Sequence, residues 1–243
     1  MRESESSLAA FEPIRRLLQQ ALEQTFPHCK IESIPLKTGW QNRRGIFSSS
    51  LPFLCARQTG ISPPETSKKL AACLPKQDRL FSLWDPSGGY LNFLPSDAWY
   101  TECLRALSQT AAFRGWDKTE EDFGFFSGAS PATAGVQKAF VRLCGVLRNC
   151  LAEKIPLKPS ATDAASLSRP EERALIFALF RLRLAGEESL LPVLQEAAGA
   201  FCQFYDTWRV WSPDPCLTRA RAGLCLVCAA ELEQGMAAAG LLP

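Results

Sequence analysis

Over residues 131–241 apolar side chains return at every third and fourth position, and this spacing constrains the fold more than any other feature of the sequence. A stripe with a period near 3.6 buries one face of a helix, whereas a half-buried strand needs alternation at every second residue. Four stretches carry the helical stripe, 132–154, 170–185, 189–211 and 218–241, and the segment 156–168 between the first two is rich in Pro, Ser and Ala. Short connections between long amphipathic helices predict an all-α bundle of four or more helices over 131–243.

Upstream the pattern changes. Leu8, Phe11, Ile14, Leu17, Leu18, Ala21 and Leu22 again mark a helix, which closes near Pro27. Residues 30–36 then alternate as a strand does. The runs 80–84 and 90–94 flank Asp85-Pro86-Ser87-Gly88-Gly89 and read as the arms of a hairpin. Two helices are expected between, the second starting at Ser62-Pro63-Pro64-Glu65, where proline suits the first turn and an acidic residue complements the helix dipole. The N-terminal part, 1–100, is therefore expected to be an α+β domain. Residues 115–130 mix Gly, acidic and aromatic residues without a period, leaving 101–130 as a connector with room for one strand at 123–126.

Composition excludes several classes of function. The 27 basic and 25 acidic residues give a formal charge of +2, far from the basic excess of a protein that holds nucleic acid by charge alone. Any RNA contact must come from local patches. No apolar run approaches the roughly 20 residues that cross a bilayer, and Met1 to Ser7 lacks the apolar core of a signal peptide, so the reading is a cytoplasmic protein without a membrane partner. The ten cysteines fall mostly within apolar helical stretches, as buried reduced thiols do. Cys225 and Cys228 have CxxC spacing, but no second pair completes a zinc site, and neither a metal nor another cofactor is expected. Glu120, Glu121 and Asp122 are adjacent carboxylates with no nucleophile or histidine nearby in sequence, which makes them solvated residues rather than an acid/base pair.

Three segments, in order, resemble arginyl-tRNA synthetases. Ser87-Gly88-Gly89-Tyr90-Leu91-Asn92-Phe93, with the helices before it, resembles the GPGFINF hairpin of that family's N-terminal domain. Val136-Gln137-Lys138-Ala139-Phe140-Val141-Arg142 resembles the VQYAHAR run that joins the catalytic body to the anticodon-binding domain. Pro170-Glu171-Glu172, the run from Phe201 to Val210, Arg221 and the run from Gly235 to Leu241 keep the order of the family's DALR anticodon-binding domain. The catalytic signatures are missing. His28 is the one histidine and sits outside any HxGH-type motif, and no KMSK-type loop is present. Gly135, Lys138 and Phe140 stand where the family's run has its pocket-lining tyrosines and histidine.

The resemblance implies a non-catalytic paralogue, not an enzyme, that binds tRNA or a tRNA-like RNA as an accessory factor, possible partners including a tRNA-modifying or translation-related protein. It also directs attention to particular residues. Ser87, Tyr90 and Asn92 lie on the hairpin whose family counterpart touches the tRNA elbow, where an aromatic ring stacks a base and an amide pairs with its edge. A Gly-rich turn carrying a half-buried tyrosine accounts for the same residues. Asn42, Arg43 and Arg44 follow Trp40 and Gln41 on an expected loop, either a phosphate-and-base site or a solvated turn. Tyr205 and Arg209 have polar ends on the helix the family sets against the anticodon stem and loop, while Phe201, Phe204 and Trp208 suit the core. Arg142, Arg148, Arg219 and Arg221 are further cations, each more readily read as an ordinary surface or ion-paired residue. The competing reading is a protein-interaction scaffold that has lost RNA binding, to which the near-neutral charge is suited.

Overall fold

The computed structural model describes residues 5–41, 44–84, 87–111, 113–114, 118–119, 121–122, 131–157, 164–186 and 189–241. The described residues form eight helices and one four-stranded antiparallel sheet. The chain divides into two compact units, Met1–Trp99 and Tyr100–Pro243.

The first unit is α+β. Helix α1 (Glu5–Thr25) buries Phe11, Ile14, Leu18, Ala21 and Leu22, the stripe its sequence spacing dictates. Strands β1 (Lys37–Gln41), β2 (Arg44–Ser49), β3 (Phe81–Trp84) and β4 (Leu91–Pro95) pair in the order β1-β2-β4-β3. Alternation along β2 buries Gly45, Phe47 and Ser49 and leaves Ile46 and Ser48 half-buried. Phe47 is the hub of this core, its ring meeting those of Phe11, Phe81 and Trp99 edge-on at 5.6, 5.5 and 5.3 Å. Ser49 is buried because its hydroxyl is fully used: it donates to the Pro35 carbonyl at 2.8 Å and accepts from the Leu51 N–H at 3.2 Å.

Helix α2 (Leu51–Thr59) ends at Gly60, whose left-handed backbone (φ 73°) lets its N–H reach the Ala56 carbonyl. Helix α3 (Pro63–Ala72) starts on proline and is tied to the hairpin by Ser67, whose hydroxyl donates to the Tyr90 carbonyl at 3.2 Å.

Three expectations need correction. No strand forms over 30–36: Pro35 has no N–H for a ladder, and Lys30 gives both backbone groups to the Gln58 side chain, each at 3.0 Å. The first strand begins at Lys37 instead, and Trp40, Gln41 and Arg44, expected on a loop, are paired strand residues. Finally, the expected connector begins with a helix, α4 (Asp97–Thr110), which buries Trp99, Tyr100, Cys103, Leu104 and Leu107 at helical spacing and is capped by Ser96 accepting from the Trp99 N–H at 3.3 Å. The strand expected at 123–126 lies outside the described residues.

In the second unit no strand occurs among the described residues. Helices α5 (Pro131–Ala152), α6 (Pro170–Leu184), α7 (Leu190–Thr207) and α8 (Pro215–Ala238) pack together, and α8 is buried almost all round over its middle. Gly235 permits the close approach of α7, since a Cβ there would lie 2.8 Å from Leu194 Cδ1. Two ion pairs link α6 to α8: Arg183 bonds Glu231, and Arg221 donates through Nε to Glu172 at 2.8 Å. No helix among the described residues is long and apolar enough to cross a membrane.

Candidate nucleic-acid interface

The hairpin residues occupy the end of the sheet next to α2 and α3. Backbone with positive φ at Gly88 (72°) and Gly89 (84°) turns the chain into β4. A Cβ on Gly89 would come within 2.9 Å of Pro63 Cβ, so only glycine fits at this contact. Tyr90 emerges from the turn 46% exposed, with its ring 4.8 Å from that of Phe53 on α2. Its open surface is available for stacking. Asn92, directly opposite Ser48 in the ladder, is half-buried and accepts from the Ser48 hydroxyl at 2.6 Å through Oδ1. That bond fixes the amide and leaves its NH2 as the group to offer a ligand. Ser87 lies in the 3-10 turn with Gly88 and Gly89. Arg44 begins β2, and Asn42 and Arg43 lie outside the described residues.

The second group surrounds the end of α7. The sequence period predicts a helix through 211, but α7 stops at Thr207 and Trp208 is extended (φ −127°, ψ 135°). What ends it is a set of contacts from α6 and α8. Trp208 donates through Nε1 to Glu171 at 2.9 Å, and the guanidinium carbons of Arg169 and Arg221 lie 4.8 and 5.5 Å from its ring centre. Arg221 also donates through Nη1 to the Arg209 carbonyl at 2.7 Å. Val210 is buried, while Arg209 and Trp211 are exposed. Residues Tyr205 to Trp211 line an open depression of about 600 Å³. Tyr205 and Arg209 therefore share one surface.

Trp208 is thus half-buried and polar in its contacts rather than core, unlike Phe201 and Phe204, which are fully buried. The other arginines differ in availability. Arg221 is committed to Glu172 and Arg209, with its side chain 5% exposed. Arg142 lies 5.3 Å from the centre of the Tyr205 ring and pairs with Asp206 at 3.2 Å, so it covers part of that ring. Arg148 donates to the Lys118 carbonyl, and Arg219 contacts the Cys216 sulfur. Phe53 and Arg169 were not singled out in the sequence, and Glu172 only as part of the Pro170-Glu171-Glu172 run. The signal for Glu172 was its place three residues after the Arg169 cap, where its carboxylate accepts the Arg169 N–H at 2.9 Å.

Burial pushes the Cys225 and Cys228 thiols far up, which opposes the thiolate a metal needs. Hydrogen bonds from Thr119 hold the exposed Asp122 carboxyl below the usual carboxylate range, the wrong direction for a proton donor at neutral pH. His28 is exposed in a turn after α1.

Comparison with known proteins gives partial matches to arginine–tRNA ligases. The ligase of Methylibium petroleiphilum is 34% identical over 116 residues, 44% of this chain and 21% of the ligase. Those of Pseudomonas paraeruginosa and Pseudomonas aeruginosa are 30% and 29% identical over 101 residues, 39% of this chain and 17% of theirs. Over part of its length the chain is related to these ligases, and the match spans about a fifth of theirs. No family model matches the chain. No solved structure matches it.

Proposed function

We propose that the chain is a non-catalytic relative of arginine–tRNA ligases that binds tRNA or a tRNA-like RNA through the Tyr90 and Asn92 hairpin and the Tyr205–Trp211 surface of a DALR-like helical bundle. The observation that carries this reading is the partial likeness to arginine–tRNA ligases in a sequence without HxGH-type or KMSK-type motifs. The two surfaces support it chemically. Each offers an accessible aromatic residue with a polar neighbour, the combination that holds an unpaired base. Modest contacts at both ends of one chain gain avidity when one RNA engages both. The protein acts as an accessory factor, by itself or with a tRNA-modifying or translation-related partner.

A scaffold function is the second reading. It is favoured by the net charge of +2 and by the use of Arg142 and Arg221 in intramolecular contacts. Affinity for bulk tRNA at low and moderate salt separates the two. Salt-sensitive binding above that of an unrelated protein of similar charge supports the RNA reading, and its absence supports the scaffold.

A further inference from the structure

We infer that the Tyr90 site extends onto α2, where Phe53 sets the ring and Arg57 supplies the cation for the phosphate of the nucleotide stacked there; this rests on the RNA reading above. The ring of Tyr90 is held by Phe53. Phe53, half-buried on α2, meets it at 4.8 Å with a 52° tilt, and Gly89, the residue before it, packs so closely that a Cβ would lie 3.2 Å from Phe53 Cζ and 2.9 Å from Pro63 Cβ. Ser67 fixes the Tyr90 carbonyl as well. Backbone and ring are thus both anchored to helices, while 46% of the residue stays exposed. A large aromatic surface left open on an anchored frame is suited to a flat ligand, because little conformational freedom is lost when the ligand stacks.

Arg57 follows Phe53 by four residues on the same helix, about one turn or 6 Å along α2. It is exposed, and among the described residues no hydrogen bond or ion pair engages it. A position in the last turn of α2, where a cation faces the helix dipole, accounts for a basic residue there. Its placement beside Phe53 does more. One nucleotide presents a flat base at one end and an anionic phosphate at the other, and a ring with a cation one helical turn away offers a partner to each. Phe53 acts as a positioning residue, through Tyr90, and Arg57 as a direct contact.

The test measures bulk tRNA affinity against salt for the wild-type chain and for Arg57→Gln, Arg105→Gln, Phe53→Leu, Tyr90→Ala and the Phe53→Leu/Tyr90→Ala double variant. Arg105 is an exposed arginine of α4 outside both surfaces and carries the same charge change. Circular dichroism confirms that each variant is folded. Arg57→Gln is expected to weaken binding about three-fold or more and to lower the salt slope by about one, with Arg105→Gln changing neither. Phe53→Leu is expected to weaken binding in the wild-type background and to add nothing once Tyr90 is alanine, which a merely structural role for Phe53 does not produce. If Arg57→Gln behaves as Arg105→Gln, or if Phe53→Leu is additive with Tyr90→Ala, the extended site is overturned while the RNA reading stands. A wild-type chain that binds no tRNA overturns the RNA reading itself and the site with it.

Discussion

Removing the carboxylate of Glu172 tests the frame that shapes the Tyr205–Trp211 surface. Glu172 is 0% exposed, accepts from Arg221 Nε at 2.8 Å and caps α6 by accepting the Arg169 N–H at 2.9 Å. Glu172→Ala leaves the Arg221 guanidinium, itself 5% exposed, with the Arg209 carbonyl as its remaining hydrogen-bond partner. Breaking one half of a buried pair costs roughly 3–5 kcal/mol, chiefly because the remaining charge stays desolvated. Loss of the cap falls within that range rather than beyond it, since cap and pair share one carboxylate and such terms are not additive. For a unit of this size each kcal/mol moves the melting temperature by roughly 2–4 °C, so the expected drop is about 6–20 °C. Thermal and urea unfolding followed by circular dichroism measures it. The double variant Glu172→Leu/Arg221→Met is expected to recover much of the loss, because it removes both charges and keeps apolar volume. A single-variant loss below about 1 kcal/mol, or a double variant worse than Glu172→Ala, refutes the reasoning.

Other outcomes follow from the same structure. Native protein treated with a thiol reagent is expected to modify the exposed Cys73 quickly and Cys225 and Cys228 only on unfolding, even at pH 9, because burial holds both thiols protonated; thiol-specific mass spectrometry of the native protein reads this. Cys150, pushed up to about 11, and Cys55, pushed up to about 12, are expected to resist at that pH as well. Gly235→Ala forces the new methyl against Leu194 and is expected to destabilise by about 1–3 kcal/mol in urea unfolding. The purified chain is expected to show no arginine-dependent ATP–pyrophosphate exchange, since no HxGH-type or KMSK-type residues are present to align the phosphates.

The helices of 131–241 were legible because four long stretches repeat apolar residues at helical spacing, and Phe140, Leu179, Phe201 and Leu224 are all fully buried. The hairpin of β3 and β4 was legible for a similar reason, two short apolar arms around a Gly-rich turn. Strands β1 and β2 were not, because Gly39 and Gly45 interrupt their alternation and what makes them strands is pairing with each other and, for β2, with β4. The end of α7 was hidden too. Trp208 continues the helical stripe in sequence, and only contacts with Glu171, Arg169 and Arg221 draw it out. Arg142 and Arg221 showed the same limit, since a sequence gives a cation but not the Asp206 or Glu172 that occupies it.

The central claim is that this chain binds tRNA through both surfaces, and affinity for bulk tRNA at low and moderate salt, read for the whole chain, Tyr90→Ala and Arg209→Gln, tests it most directly. Loss of a stacking ring costs roughly 1–3 kcal/mol per base, so Tyr90→Ala is expected to weaken binding about five-fold or more. Arg209→Gln is expected to lower the salt slope by about one. Binding no stronger than that of an unrelated protein of similar charge, or binding that neither substitution changes, contradicts the account.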